Sequence, residues 1–113
     1  MAARILLADD DATVLLTVRH AMEAKGLEVV GEAKDGTEAL ELARSLRPDV
    51  LVIDLSMPGL DGAEVIATIG PELPGTQVVV FSGADERVQT GVRRYVDKAD
   101  GFPALVDAVQ QIT

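Results

Sequence analysis

The sequence predicts an α/β fold, built as a five-stranded parallel sheet of strand order 2-1-3-4-5 with helices on both faces. Short apolar runs alternate along the chain with stretches in which apolar residues recur at the helical period. Strands that alternate with helices form right-handed βαβ units, and these units give a parallel sheet. With 113 residues the chain has room for one domain, which we expect to span residues 1–113.

Five apolar runs are expected to form the strands. The first is continuously apolar, as expected of a strand that is buried on both faces of a sheet. In chain order, the strands are predicted at residues 4–8, 27–31, 49–54, 77–82 and 95–97.

The first two helices carry recognisable start and stop signals. Asp11 stands at the N-cap position of the first helix, and Lys25–Gly26 is predicted to end it. The second helix begins at a capping-box sequence, Asp35 to Glu38, and is closed by Pro48.

The third helix is predicted to be short and the last to be the most regular. A loop bracketed by Gly70–Pro71 and Pro74–Gly75 is expected to follow the third helix. In the last helix Pro103 suits the first turn. Its apolar residues recur at helical spacing, at Phe102, Leu105, Val106, Val109 and Ile112.

The composition excludes several classes of function. Ten Lys and Arg against nineteen Asp and Glu give a net charge of −9, which repels nucleic-acid phosphates and anionic lipid. The chain has no cysteine, one histidine and 3% aromatic residues, so disulfides, thiolate metal sites and base-stacking platforms are not expected. Residues 1–5 lack the pattern of a signal peptide, so none is expected, and no apolar run reaches the length of about 20 residues that spans a bilayer. We therefore expect a cytoplasmic protein that contacts neither nucleic acid nor membrane directly.

Polar side chains stand where four of the predicted strands end. Asp9 and Asp10 follow the first strand, and Asp54 ends the third. Ser82 ends the fourth strand, and Lys98 follows the fifth. The carboxyl ends of parallel strands share one edge of the sheet, and ligands bind there at the point where the strand order reverses. We therefore expect these side chains to converge.

Three neighbouring carboxylates repel one another unless one is protonated or a cation lies among them. Without histidine or cysteine nearby, such oxygens favour Mg²⁺, and Mg²⁺ sites of this kind commonly serve phosphoryl transfer. Asp54 would then be a nucleophile that forms an aspartyl-phosphate. Lys98 would add a fixed positive charge, and the Ser82 hydroxyl would donate a hydrogen bond to a phosphoryl oxygen.

These segments resemble the receiver domain of two-component response regulators, a flavodoxin-like family, and the resemblance covers essentially the whole chain. Residues 54–62, Asp-Leu-Ser-Met-Pro-Gly-Leu-Asp-Gly, carry its most specific motif. The motifs at residues 5–11, 78–83 and 95–98 are each weak alone, but their order and spacing are jointly strong.

The resemblance implies a phosphorylation-controlled signalling module. Asp54 matches the phosphoacceptor, which takes its phosphoryl group from a sensor histidine kinase or a phosphotransfer protein. Asp9 and Asp10 match the acidic pair that holds Mg²⁺ together with Asp54. Ser56 matches the position whose backbone carbonyl also ligates the metal.

Three further positions match groups that act on or respond to the phosphoryl group. Lys98 matches the lysine that pairs with it, and Ser82 matches the hydroxyl that follows it on activation. Tyr95 matches the aromatic switch residue that turns inward when the hydroxyl moves. The resemblance implies a phosphoacceptor and not an enzyme: the domain catalyses only its own phosphotransfer and autodephosphorylation, and it switches an output surface. The sequence leaves open whether the chain forms a homodimer.

Two departures from the family pattern concern the far edge of the sheet. Ala99 stands where the family usually has proline, so we expect no cis peptide there. Only twelve residues, Gly83 to Arg94, are left for the fourth helix and its loops, whereas a mean helix alone takes about 11–12 residues. We therefore predict that the fourth helix, between the fourth and fifth strands, is shortened or missing.

Two alternatives remain at this point. The short segment before the fifth strand would fit a receiver-fold interaction module that acts without phosphorylation. Another enzyme or a cofactor-binding protein of the same fold is the other alternative. A flavin site, however, needs a Ser/Thr/Gly-rich phosphate loop after the first strand and aromatic residues that contact the isoalloxazine ring. Residues 9–11, which follow that strand, are all aspartates.

Overall fold

A computed structural model describes residues 2–59, 61–83 and 91–113. They form a five-stranded parallel sheet of order β2-β1-β3-β4-β5, which confirms the predicted fold class and strand order. The strands are β1 (Arg4–Ala8), β2 (Glu28–Ala33), β3 (Val50–Ile53), β4 (Gln77–Ser82) and β5 (Arg94–Asp97). The helices are α1 (Ala12–Glu23), α2 (Gly36–Leu46), α3 (Gly62–Glu72) and α4 (Gly101–Ile112), and a short 3₁₀ helix spans Lys98–Asp100.

The strand bounds differ from the predicted ones mainly in β2. This strand continues past the predicted end to Ala33, because it pairs with β1 as far as the register pair Ala8 and Ala33. The shortened or missing helix was predicted between β4 and β5 and is not the helix labelled α4. Its segment falls largely on residues 84–90, which lie outside the described residues.

The prediction of a loop at Gly70–Pro71 is wrong. Helix α3 continues through Pro71 to Glu72, and the N–H of Leu73 donates to the Ile69 carbonyl at 2.7 Å. Proline removes one donor from the last turn, but this following hydrogen bond and the burial of Leu73 hold the turn in helical form.

Aspartates cap the first three helices. The side chain of Asp11 accepts from two backbone N–H groups of α1, those of Thr13 and Val14. Asp35 caps α2 and Asp61 caps α3, each through a backbone N–H three residues on. These bonds satisfy N–H groups that have no partner inside the helix, so the predicted role of Asp11 as a cap is confirmed.

Alternate residues of the central strands face two separate apolar cores. On one face, Leu7 and Val52 pack with the buried sides of α1 and α4. On the other face, Leu6 and Ile53 pack with α2 and α3. All four residues of β3 are buried, as expected of a central strand covered on both faces. Within the described ranges, no helix is both long and apolar enough to cross a bilayer.

Two leucines on different helices test this assignment of the core. Leu105 of α4 is fully buried, whereas Leu16 of α1 is 56% exposed. We expect Leu105→Ala to lower the free energy of unfolding by about 2–5 kcal/mol, because it leaves a cavity among packed side chains. Leu16→Ala should change it by less than about 0.5 kcal/mol. Urea denaturation measures both, and equal losses would contradict the assignment.

Candidate functional site

The strand ends position the candidate side chains at one edge of the sheet. Asp9 follows β1 and Asp54 follows β3, and each continues the ladder by donating its N–H to a neighbouring strand at 3.0 Å. Ser82 is the last residue of β4 and lies beside Asp97 in the register of β5. Lys98 comes directly after β5. The sequence-predicted convergence is therefore present in the fold.

Three carboxylates come together at this edge. Asp9 and Asp54 are 4% and 5% exposed, while Asp10 is exposed to solvent. One oxygen atom from each of the three lies within 4.8 Å of the others. Two buried carboxylates at this separation require compensation by hydrogen bonds and positive charge.

Asp54 is held through both of its carboxylate oxygens. Its Oδ1 accepts from the Ser82 hydroxyl at 2.8 Å and from the Ser56 N–H at 2.9 Å. Its Oδ2 accepts from the Lys98 ammonium at 2.8 Å. The carboxylate of Asp54 is thus fixed in orientation by a hydroxyl, a backbone amide and a cation.

The Lys98 ammonium joins the two buried carboxylates. Its Nζ lies 2.8 Å from Oδ2 of Asp9 and 2.8 Å from Oδ2 of Asp54. The other oxygen of Asp9 accepts the backbone N–H of Asp11 at 2.9 Å. One cation therefore serves two buried anions.

The pKa shifts follow from this sharing. Burial lowers the pKa of Lys98, but the hydrogen bonds to Asp54 and Asp9 outweigh burial and hold that pKa above the ordinary lysine value. Burial raises the pKa of Asp9, because the hydrogen bonds from Lys98 and from the Asp11 N–H offset only part of the cost of burying its charge. The lysine stays protonated, and ionised Asp9 remains unfavourably placed.

The donor set fits a hard divalent cation. The group holds only carboxylate ligands, with no histidine or cysteine, which is the ligand chemistry of Mg²⁺. Ser56 lies beside the group, since its N–H is bonded to Asp54. The part of its backbone carbonyl as a metal ligand stays a prediction.

Tyr95 lies on the neighbouring strand and outside the carboxylate group. It pairs with Val80 in the sheet register, is half-buried and packs against the apolar core on the α2 and α3 face. Its role as a switch residue stays a prediction.

Gly62 lets α3 begin close to Asp54. A Cβ at this position would lie 2.7 Å from the Leu55 Cα and 2.9 Å from the Asp54 carbonyl oxygen. Asp61 caps α3, and the close backbone approach gives the reason for a glycine at the next position.

Sequence reasoning missed Asp97. Its side chain accepts the backbone N–H of Ala99 at 2.8 Å and caps the 3₁₀ helix that begins at Lys98. The signal was present, since aspartates readily accept the N–H two residues on. The Lys98–Ala99 peptide is trans, as expected for a residue other than proline.

The family model described as "Response regulator receiver domain" matches residues 5–110. The chain is 34% identical over 116 residues to "Response regulator GacA" of Pseudomonas aeruginosa, with 96% of this chain and 54% of that protein covered. It is 44% identical over 90 residues to "Protein-glutamate methylesterase/protein-glutamine glutaminase 5" of Myxococcus xanthus, with 79% of this chain and 26% of that protein covered. The chain thus spans between about a quarter and about half of the length of these relatives.

Two solved structures are similar to the chain. The signal receiver domain of the putative response regulator NarL from Mycobacterium tuberculosis superposes with a TM-score of 0.89 and 36% identity, over 97% of this chain and 94% of that one. The response regulator domain of Thermotoga maritima CheB superposes with a TM-score of 0.86 and 28% identity, over 99% and 94%.

Gly62 and Gly75 form a pair for testing the close approach at Asp54. Gly62→Ala should lower the free energy of unfolding by about 1–3 kcal/mol, because backbone must move to admit the methyl group. A Cβ at Gly75, in the exposed turn after α3, meets nothing within 4 Å, so Gly75→Ala should change it by less than about 0.5 kcal/mol. Urea denaturation distinguishes the two, and equal effects would contradict the packing argument.

The pKa of Asp9 predicts how stability depends on pH. The folded pKa is raised above the unfolded value, so the contribution of Asp9 is most favourable when it is protonated and is lost as pH rises through the folded pKa. Without divalent cations, Asp9→Asn should therefore be more stable than wild type at neutral pH. The difference should vanish in acid, below the ordinary aspartate pKa.

Urea denaturation in EDTA across this pH range measures the effect. Asp107→Asn, at an exposed position of α4, is the control and should show little difference at any pH. An Asp9→Asn variant that is less stable than wild type at neutral pH would show that the Lys98 ion pair outweighs the cost of burial.

Proposed function

The chain belongs to the response regulator receiver domain family, whose members are phosphorylation-controlled signalling modules of two-component systems, and we propose that Asp54 accepts the phosphoryl group. One observation carries the proposal. Asp54 is a buried carboxylate at the end of a central strand, and it lies in hydrogen-bond contact with both Ser82 and Lys98.

The chemistry is an attack by a carboxylate oxygen of Asp54 on the phosphorus of a donor. The new bond joins that oxygen to phosphorus, while the donor's bond to phosphorus breaks and its electron pair leaves with the donor group. The contacts to Ser82, Ser56 and Lys98 orient the carboxylate before the attack. A carboxylate held in one orientation loses less entropy on reaching the transition state.

Lys98 and Ser82 are the groups proposed to act on the phosphoryl oxygens once the acyl phosphate has formed. Both already contact the acceptor carboxylate at 2.8 Å. A protonated lysine and a hydroxyl can donate charge-assisted hydrogen bonds to the transferred group. The same two groups would support the attack of water that returns Asp54 to its free form, so transfer and autodephosphorylation would use one set of residues.

Receiver domains generally bind Mg²⁺, and the residues proposed to hold it here are Asp9, Asp10, Asp54 and the Ser56 carbonyl. When bound, the ion offsets the negative charge of the phosphoryl oxygens. The raised pKa of Asp9 supports this proposal, because it indicates that Lys98 alone undercompensates the buried charge.

The proposed donor is a sensor histidine kinase or a phosphotransfer protein, and the chain is proposed to act in the cytoplasm. Ser82 lies on β4 directly beside β5, which carries Tyr95. We propose that the Ser82 hydroxyl moves toward a phosphoryl group, and that Tyr95 and the surface around β5 change conformation in response. No observation favours the alternative of an interaction module that acts without phosphorylation.

Phosphorylation of Asp54 can be tested directly. With Mg²⁺ and phosphoramidate, intact-mass spectrometry should show one phosphoryl group per chain, and hydroxylamine should remove it because the linkage is an acyl phosphate. Asp54→Asn should lose the hydroxylamine-sensitive product, and Lys98→Ala should slow its formation by about 100-fold, the effect of removing one electrostatic stabiliser.

Asp107→Asn serves as the control, since Asp107 lies exposed on α4, and it should be labelled like wild type. A hydroxylamine-sensitive phosphoryl group that persists in Asp54→Asn would overturn the assignment of the acceptor.

A further inference from the structure

The turn after β5 fixes the backbone on both sides of Lys98. Before it, the carboxylate of Asp97 accepts the Ala99 N–H at 2.8 Å. After it, the N–H of Gly101 donates to the Lys98 carbonyl and closes the 3₁₀ helix. Lys98 is the first residue of that helix, so its Cα lies inside a turn closed by one side-chain and one backbone hydrogen bond.

The turn lies between β5 and α4, whose Phe102 packs against Phe81 of β4. β5 pairs with β4 on one side, and this pairing ends at the register pair Ser82 and Asp97. Beyond Asp97, hydrogen bonds between β4 and β5 no longer hold the backbone. A proline at position 99 would restrict its own φ and the conformation of residue 98, but Ala99 imposes neither restriction.

Unlike proline, Ala99 has a backbone N–H, and this group donates a hydrogen bond to the Asp97 carboxylate. The direction of this turn matters because the Lys98 side chain is long and flexible and must reach two carboxylates at once. Because the lysine stem is flexible, less entropy is lost in reaching both carboxylates when the backbone of Lys98 is already fixed.

We propose that Asp97 is a positioning residue: through its hydrogen bond to Ala99 it fixes the turn that directs the Lys98 ammonium onto Asp9 and Asp54. The effect of Asp97 on phosphorylation rests on the proposed function of Asp54. The effect of Asp97 on the place of the Lys98 ammonium does not, and it can be measured without any phosphoryl donor.

Three variants separate the hydrogen bond from the charge. Asp97→Ala removes both. Asp97→Asn removes the charge but keeps an oxygen that can accept the Ala99 N–H. Asp100→Ala is the matched control, because Asp100 is also exposed, ends the 3₁₀ helix that Asp97 caps and makes no side-chain cap hydrogen bond.

The first measurement is the NMR signal of the lysine ammonium groups in the full chain without donor. The chain has three lysines, and Lys25 and Lys34 are exposed, so the Lys98 ammonium can be assigned with ease. In wild type, Asp97→Asn and Asp100→Ala, its protons should exchange slowly with water. In Asp97→Ala they should exchange about fivefold faster than in wild type, because the loss of one cap lowers the population of the ordered turn by that factor.

The second measurement is the rate of acyl-phosphate formation from phosphoramidate with Mg²⁺. Asp97→Ala should lower the rate by about fivefold, the population change expected when one capping hydrogen bond is lost. Asp97→Asn and Asp100→Ala should keep nearly the wild-type rate. The melting temperature of Asp97→Ala should fall by only about 4 °C, the effect of one lost cap, so the protein stays folded in both measurements. Those of Asp97→Asn and Asp100→Ala should stay close to that of wild type.

Several results would overturn the proposal. Exchange of the Lys98 ammonium at the wild-type rate in Asp97→Ala, or fast exchange already in wild type, would show that Asp97 does not fix it. An Asp97→Asn variant that behaves like Asp97→Ala would assign the effect to charge, and an equal effect of Asp100→Ala would make it unspecific. A wild-type chain that takes up no phosphoryl group would contradict the proposed function, while the ammonium exchange would still decide the role of Asp97.

Discussion

Asp9 and Asp54 are almost completely buried, and the ammonium of Lys98 lies 2.8 Å from a carboxylate oxygen of each. Burying two carboxylates is unfavourable unless hydrogen bonds and positive charge compensate them. The end of β1, the end of β3 and the turn after β5 must all be held in place to bring these three groups together. With Asp10 included, three carboxylates face one ammonium, and the remaining charge of two matches a divalent cation.

Much of this site follows from the sequence, because its residues stand at the ends of apolar strands. A parallel sheet brings the carboxyl ends of its strands to one edge, so the order of strands largely fixes which residues meet. Asp9, Asp54, Ser82 and Lys98 were predicted to converge on this basis, and they lie in direct hydrogen-bonded contact. The two apolar cores follow from the same alternation of strands and helices.

Features that depend on local hydrogen bonds were harder to predict. Gly70–Pro71 suggested a loop, but the Leu73 N–H bonds to Ile69 and extends α3 past the proline. Ala99 was noted only as a departure from the usual proline, yet its N–H is the donor through which Asp97 caps the turn at Lys98. The positions of glycine and proline indicate which backbone conformations are allowed. The end of α3 and the turn at Lys98 depend instead on which N–H group finds an acceptor in the folded chain.

The three carboxylates carry more negative charge than Lys98 neutralises, and the most direct test that a cation balances the rest is a calorimetric titration of the unphosphorylated chain with Mg²⁺. The site as described predicts one ion bound per wild-type chain, and no detectable binding by the double variant Asp9→Asn with Asp10→Asn under the same conditions. Asp107→Asn, exposed on α4, should bind like wild type. Equal Mg²⁺ binding by wild type and the double variant, or none by wild type, would contradict the account of the carboxylate group as a divalent-cation site.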